Sequence, residues 1–157
     1  SYPSFSHHQP VWHQEFARFS EFCHQEGLGE VKPNLCEVVY VNHIVPPEGR
    51  SAIEDFALIF PDLTWGPGSG WLPAPERVAL NRVFVIGENQ GRLYAEASIG
   101  STKDKGDIIV LKMVGRVICK DGLNVADSLR LAHDWVVKGF ECLTDATVRK
   151  ERWGQTV

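Results

Sequence analysis

Residues 77–120 read RVALNRVFVIGENQGRLYAEASIGSTKDKGDIIVLKMVGRVICK, and this stretch decides the fold. It divides into three β-rich runs, Arg77–Ile86, Arg92–Ser101 and Asp107–Lys120. Glu88-Asn-Gln-Gly91 and Thr102-Lys-Asp-Lys-Gly106 separate them. Both separators are short, polar and end in Gly, which is hairpin chemistry, so the runs are expected to form an antiparallel meander. In the middle run Leu93, Ala95, Ala97 and Ile99 alternate with Arg92, Tyr94, Glu96 and Ser98, the period of a half-buried strand. The third run breaks that rule. Ile109, Leu111, Met113, Val117 and Cys119 share one face, while Ile108, Val110, Val114 and Ile118 share the other. A strand apolar on both faces needs cover on both, from a loop, a second subunit or a further part of the protein.

Outward from the meander, Asn124 is placed to cap the strongest helix of the chain, with Asp127 in its first turn. Val125, Leu129, Ala132, Val136, Phe140 and Leu143 recur at helical spacing, and Leu131 and Trp135 widen the stripe. Thr144 is expected to cap a last short helix through Arg152, ended by Trp153-Gly154. Upstream, Leu35–Val45 reads as a strand stopped by Pro46-Pro47. Ser51 and Glu54 form a capping-box pair for a short helix through Ile59, closed by Pro61. Residues 61–76 (PDLTWGPGSGWLPAPE) are too rich in Pro and Gly for a regular element. From Pro10, Trp12, Phe16, Phe19 and Cys23 trace the apolar face of a first helix, ended by Gly27 and Gly29. Residues 1–9 show no period and read as a flexible lead-in. The fold class is therefore α+β: an antiparallel sheet of at least four strands with a long C-terminal helix across one face, a single domain over 10–157.

Composition narrows the functions. The 157 residues carry a net charge of −4, with no basic run longer than two. A surface that tracks phosphates needs a basic patch, so nucleic acid is not an expected partner. No stretch approaches the roughly 18 consecutive apolar residues of a membrane span. The opening at Ser1, with no Met, reads as a processed product, a tagged chain or a piece of something longer. Cys23, Cys36, Cys119 and Cys142 include no Cys-x-x-Cys pair, and are expected as small buried hydrophobes in a reducing cytoplasm.

Several groups could carry chemistry. His7 and His8 fall in the lead-in, and His13 and His24 are about 16 Å apart along a helix, too far to share a metal. No metal or other cofactor is expected. His133 and Asp134 invite an acid–base reading, but helix neighbours point about 100° apart, so a half-buried structural His is the plainer account. Tyr40 and Asn42 share one face of the first strand and Glu37 lies on the other. Asn is disfavoured inside strands, so Asn42 is expected to hold a specific hydrogen bond. If the strand containing Asn81 and Arg82 pairs with the first, these residues converge with Tyr40 and Asn42 into a polar patch. Trp65 and Trp71 flank Gly-Pro-Gly-Ser-Gly, two large aromatics on a loop that either packs over the sheet or contacts a ligand. Ser69 there lacks the spacing of a nucleophile elbow, and no Lys follows as in a phosphate loop. Ala95 and Ala97 leave room for a closely packed helix or for a ligand cavity.

Cys36-Glu-Val-Val-Tyr-Val-Asn-His-Ile44, Ala132-His-Asp-Trp-Val-Val-Lys-Gly-Phe-Glu-Cys-Leu-Thr144 and the following Trp153-Gly154 resemble motifs of a sporadically distributed prokaryotic family of unknown function. Its members show a Tyr-x-Asn-x-Ile strand, then a final helix of His…Phe…Thr type followed by Trp-Gly. The resemblance concerns the C-terminal half of that family. It implies a longer N-terminal part and marks Tyr40, Asn42, His133, Phe140, Thr144 and Trp153, with no activity to carry over.

The expected function is non-enzymatic: a protein–protein interaction or self-associating module, a homodimer through Ile108, Val110, Val114 and Ile118. The alternative is a helix-grip domain holding a small apolar ligand between helix and sheet, near Tyr40, Asn42, Trp65, Trp71, Arg82 and His133.

Overall fold

The computed structural model describes residues 4–63, 73, 75–119 and 124–154. In chain order the elements are α1 (Phe5–Gln25), β1 (Leu35–Ile44), α2 (Ala52–Ile59), β2 (Ala79–Ile86), β3 (Gly91–Thr102), β4 (Gly106–Ile118), α3 (Val125–Leu143) and α4 (Ala146–Trp153). The expected meander forms: β2 pairs β3 and β3 pairs β4, both antiparallel. β1 adds antiparallel to the free side of β4, giving the order β1-β4-β3-β2. The class is α+β, with a four-stranded antiparallel sheet.

β1 and β2 are thus opposite edges of the sheet. Tyr40 pairs with Met113, Met113 with Ala95, and Ala95 with Arg82. At about 4.8 Å per strand, roughly 14 Å separates Tyr40 from Arg82. Asn81 falls on the outer face, by the alternation that puts Arg82 on the inner one. The polar patch conditional on β1–β2 pairing therefore does not form. Arg82 instead bonds Asp62 at 3.1 Å.

The core lies on the inner face, between the sheet and α3. Leu93, Ala95, Leu111, Met113 and Val117 meet Ala132, Val136 and Leu143, all buried. Ala95 and Ala97 are buried in this core. At Gly115 the helix backbone lies directly on the strand, since a Cβ there would meet the Ala132 carbonyl oxygen at 2.5 Å. At Gly139 a Cβ would meet Leu93 Cδ2 at 2.5 Å. A helix that crosses a sheet at this range needs small residues at the crossing.

The short elements close one end of this layer. Ser51 and Glu54 form the capping box read from the sequence. Phe56, Ile59 and Phe60 of the α2 segment are fully buried. So is Asp55, whose carboxylate takes Arg152 at 2.7 and 3.0 Å and Arg50 at 3.4 Å. The Arg152 bonds fasten α4 to α2. Asn124 caps α3 as expected, accepting from the Asp127 N–H at 2.8 Å. The cap of α4 is Asp145, not Thr144: Asp145 accepts from the Val148 N–H, while the Thr144 hydroxyl donates back to the Phe140 carbonyl.

α1 begins earlier than its period suggests, at Phe5, with Pro10 inside it. Only Cys23 of this helix is buried, and Phe19 of the expected apolar face stands 55% exposed. No described helix is long and apolar enough to cross a membrane.

Candidate functional site

Two surfaces stand out. The first is a cleft of about 200 Å³ between β1 and α3, lined by Tyr40, Asn42, Met113, Val136, Val137 and Phe140. Alternation puts Tyr40 and Asn42 on the inner face of β1, and β1 is an edge strand, so the layer is open on this side. Among the described residues no side chain hydrogen-bonds the Asn42 amide. Burial raises the Tyr40 hydroxyl pKa above its ordinary value. Tyr40 and Asn42 thus offer polar ends at the rim of an otherwise apolar cleft. Ala95 and Ala97 take no part in its lining.

His133 stands beside Tyr40, their ring centroids 6.0 Å apart. Phe5 stacks on the His133 ring at 4.1 Å, almost parallel. The aromatic start of α1 therefore docks on α3 here, a contact hidden in the sequence because residues 1–9 carry no period. His133 Nδ1 lies 3.4 Å from an Asp134 carboxylate oxygen, closer than the divergence of helix neighbours suggests. Tyr40 meets His133 and shares the cleft lining with Asn42, while His133 is not among the lining residues. Arg82 sits at the far edge of the sheet, and Glu37 lies on the outer face, bonded to Arg116. Trp65 and Trp71 lie outside the described residues. Among the described residues no group of three His, Cys, Asp or Glu side chains could hold a metal.

The second surface is the outer face of the sheet. The strand register aligns Val39, Val114, Tyr94 and Val83 in one row across all four strands. Glu37, Arg116, Arg92 and Val85 form the next row on one side, and Val41, Lys112, Glu96 and Asn81 the next on the other. Leu35 pairs with Ile118 at the end of this face. Leu35, Val39, Val41, Val83, Val85 and Ile118 are each between 39% and 54% exposed. Arg116 lies 5.0 Å over the Tyr94 ring. Its hydrogen bond to Glu37 is the main cause that raises its pKa.

Of the four residues expected on the exposed side of β4, Ile118 is exposed and Val110 half-buried, while Val114 and Ile108 are buried at 6% and 2%. β4 is a central strand, so neighbours on both sides shade Val114; Ile108 lies past the end of the β1 ladder, opposite Gly100, and the strand register does not explain its burial. Val114 sits between Val39 and Tyr94. The accessible aliphatics lie chiefly on the edge strands β1 and β2. In β1 the signal was legible: Val38-Val39-Tyr40-Val41 is apolar at every position, which marks both faces.

No protein-family model, no curated protein and no solved structure matches this chain.

Proposed function

We propose that the chain is a non-enzymatic binding module that pairs with a second copy of itself through the outer face of the sheet. One observation carries this reading: six aliphatic side chains on that face, each about half-exposed. Val39, Val41, Val83 and Val85, joined through Val114 and Tyr94, make an apolar patch of a few hundred Å², the size of the largest such patch on a typical monomer, which is often functional. Both signs of charge lie among these side chains: Glu37, Arg116 and Arg92 separate Leu35 and Ile118 from the Val39–Val83 row, and Lys112 and Glu96 flank that row on its other side. A two-fold dimer uses the same patch twice, so one such surface is enough. Four unbonded cysteines fit a reducing compartment, the cytoplasm in our reading. The same reading retains the resemblance to a prokaryotic family of unknown function.

Sedimentation velocity tests it. Val39→Asp and Val83→Asp place a charge on the face at positions open to water in the monomer, so the fold tolerates them. The wild type sediments as a dimer and both variants as monomers with an unchanged thermal midpoint. Variants that sediment like the wild type refute the proposal.

A second reading has its own support. The β1–α3 cleft, apolar with the polar ends of Tyr40 and Asn42 at its rim, suits a small apolar ligand carrying one or two polar groups. An anilinonaphthalene fluorophore should bind there and be displaced by Val137→Glu, which charges the cleft wall. Equal binding to both chains argues against it.

A further inference from the structure

Cys36 and Cys119 meet although they stand 83 positions apart, with Sγ atoms 3.3 Å from each other. The contact is built by the sheet. Cys36 pairs with Val117, and the ladder continues one step past Leu35–Ile118 through the Cys119 N–H, which donates to the Asn34 carbonyl at 3.0 Å. Both thiols therefore project on the inner face as diagonal neighbours on adjacent strands. Cys36 Sγ also lies 3.8 Å from the Val125 carbonyl, under the first turn of α3. Cys36 is buried and Cys119 half-buried. A disulfide has an S–S length of about 2.05 Å, so closing this pair brings the sulfurs about 1 Å closer, and the diagonal placement on the two strands, about 7–8 Å between Cα atoms, adds a small backbone adjustment at the strand ends. Cys142 is exposed.

We propose that Cys36 and Cys119 form a reversible dithiol–disulfide site whose oxidant is a low-molecular-weight disulfide of the glutathione class. Burial, and secondarily the neighbouring Cys119 thiol, push Cys36 up to about 12, which leaves the more accessible Cys119 as the attacking sulfur. The Cys119 thiolate attacks one sulfur of glutathione disulfide, and the first glutathione leaves as a thiolate and takes up a proton. Cys36 then gives up its proton and attacks the Cys119 sulfur of the mixed disulfide, expelling the second glutathione, which is protonated in turn. Two protein thiols are oxidised by two electrons and one glutathione disulfide is reduced to two glutathiones. The new bond ties the start of β1 to the segment that leads into α3. In a reducing compartment the site stays open, and it closes when the disulfide pool rises.

The wild-type chain is incubated with glutathione and glutathione disulfide at graded ratios, quenched with iodoacetamide and mapped by peptide mass spectrometry without reduction. The expected result is a Cys36–Cys119 bridged peptide with Cys23 alkylated, reversed by dithiothreitol, and a thermal midpoint several degrees higher in the oxidised chain. Cys142→Ser should give the same bridge, since the exposed thiol takes no part. Cys119→Ser should leave Cys36 alkylated. Alkylation of both Cys36 and Cys119 at ratios that oxidise the urea-unfolded chain overturns the proposal. So does arrest at a stable glutathione adduct on Cys119. Both results are read on the wild type and need no variant to fold.

Discussion

Replacing Gly115 by Ala should damage this protein far more than replacing Gly139 by Ala, although both glycines lie where α3 crosses the sheet. At Gly115 the new methyl would sit 2.5 Å from the Ala132 carbonyl oxygen, 3.0 Å from its carbon and 3.2 Å from its Cα. Carbon prefers about 3.5–4.0 Å to such neighbours, and all three atoms are backbone. No rotamer relieves the clash, so α3 must lift by roughly 1 Å. Val136 and Leu143, buried further along the same helix, would then lose contact. Overpacking of this kind costs about 1–3 kcal/mol, and an unyielding backbone neighbour puts Gly115 at the upper end. The loss of glycine's chain entropy returns about 0.5–1 kcal/mol, leaving a net cost of about 2 kcal/mol. At Gly139 the methyl would meet Leu93 Cδ2 at 2.5 Å and Met113 Cε at 3.0 Å, the tips of flexible side chains. Ala also improves helix propensity there by about 1 kcal/mol, so the two terms nearly cancel. With a urea m-value of about 2 kcal/mol/M, the two variants should differ in midpoint by about 1 M. Equilibrium urea unfolding, followed by circular dichroism and Trp fluorescence, measures this. Equal midpoints, or a Gly139→Ala variant weaker than Gly115→Ala, would refute the backbone-contact account.

Other consequences follow from single residues. The Ser128 hydroxyl is buried with no hydrogen-bond partner among the described residues, so Ser128→Ala should raise stability by about 1 kcal/mol in the same urea assay. Arg152→Ala leaves the buried Asp55 carboxylate with Arg50 at 3.4 Å as its one remaining cation among the described residues, and calorimetry should show a loss of about 3 kcal/mol. The Ser51 backbone N–H, with help from the Ser51 hydroxyl, holds the Glu54 carboxyl below its usual value of 4.5. A depressed folded pKa stabilises above the unfolded value, and that stability is lost as pH falls from 4.5 through the folded value. Glu54→Gln should therefore flatten the dependence of the melting midpoint on pH within that window.

The sequence carried the meander, the capping box and the long helix because each rests on local signals: Gly-ended polar separators, Ser51 with Glu54, and the Val125–Leu143 stripe. Which strand pairs with β4 on its open side is a tertiary choice with no local signature. β1 took that place, and Arg82 was carried away from Tyr40 and Asn42 as a result. The meeting of Tyr40 with His133 also needed the packing of α3 on β1. Phe5 carries no local signal, because two isolated aromatics, Tyr2 and Phe5, in a polar stretch set no period. The two-sided apolar character of β4 was visible, but the burial of Val114 was not, because hydrophobicity along one strand does not report the shade cast by its neighbours Val39 and Tyr94.

Native mass spectrometry of the purified chain, with a denatured control, bears most directly on the proposed pairing through the outer face of the sheet. It reads oligomer mass and retained ligand together. The account predicts twice the chain mass of 17.6 kDa with nothing added, collapsing to single mass on denaturation. A monomer across the micromolar range, bare or carrying an extra mass lost on denaturation, would contradict it.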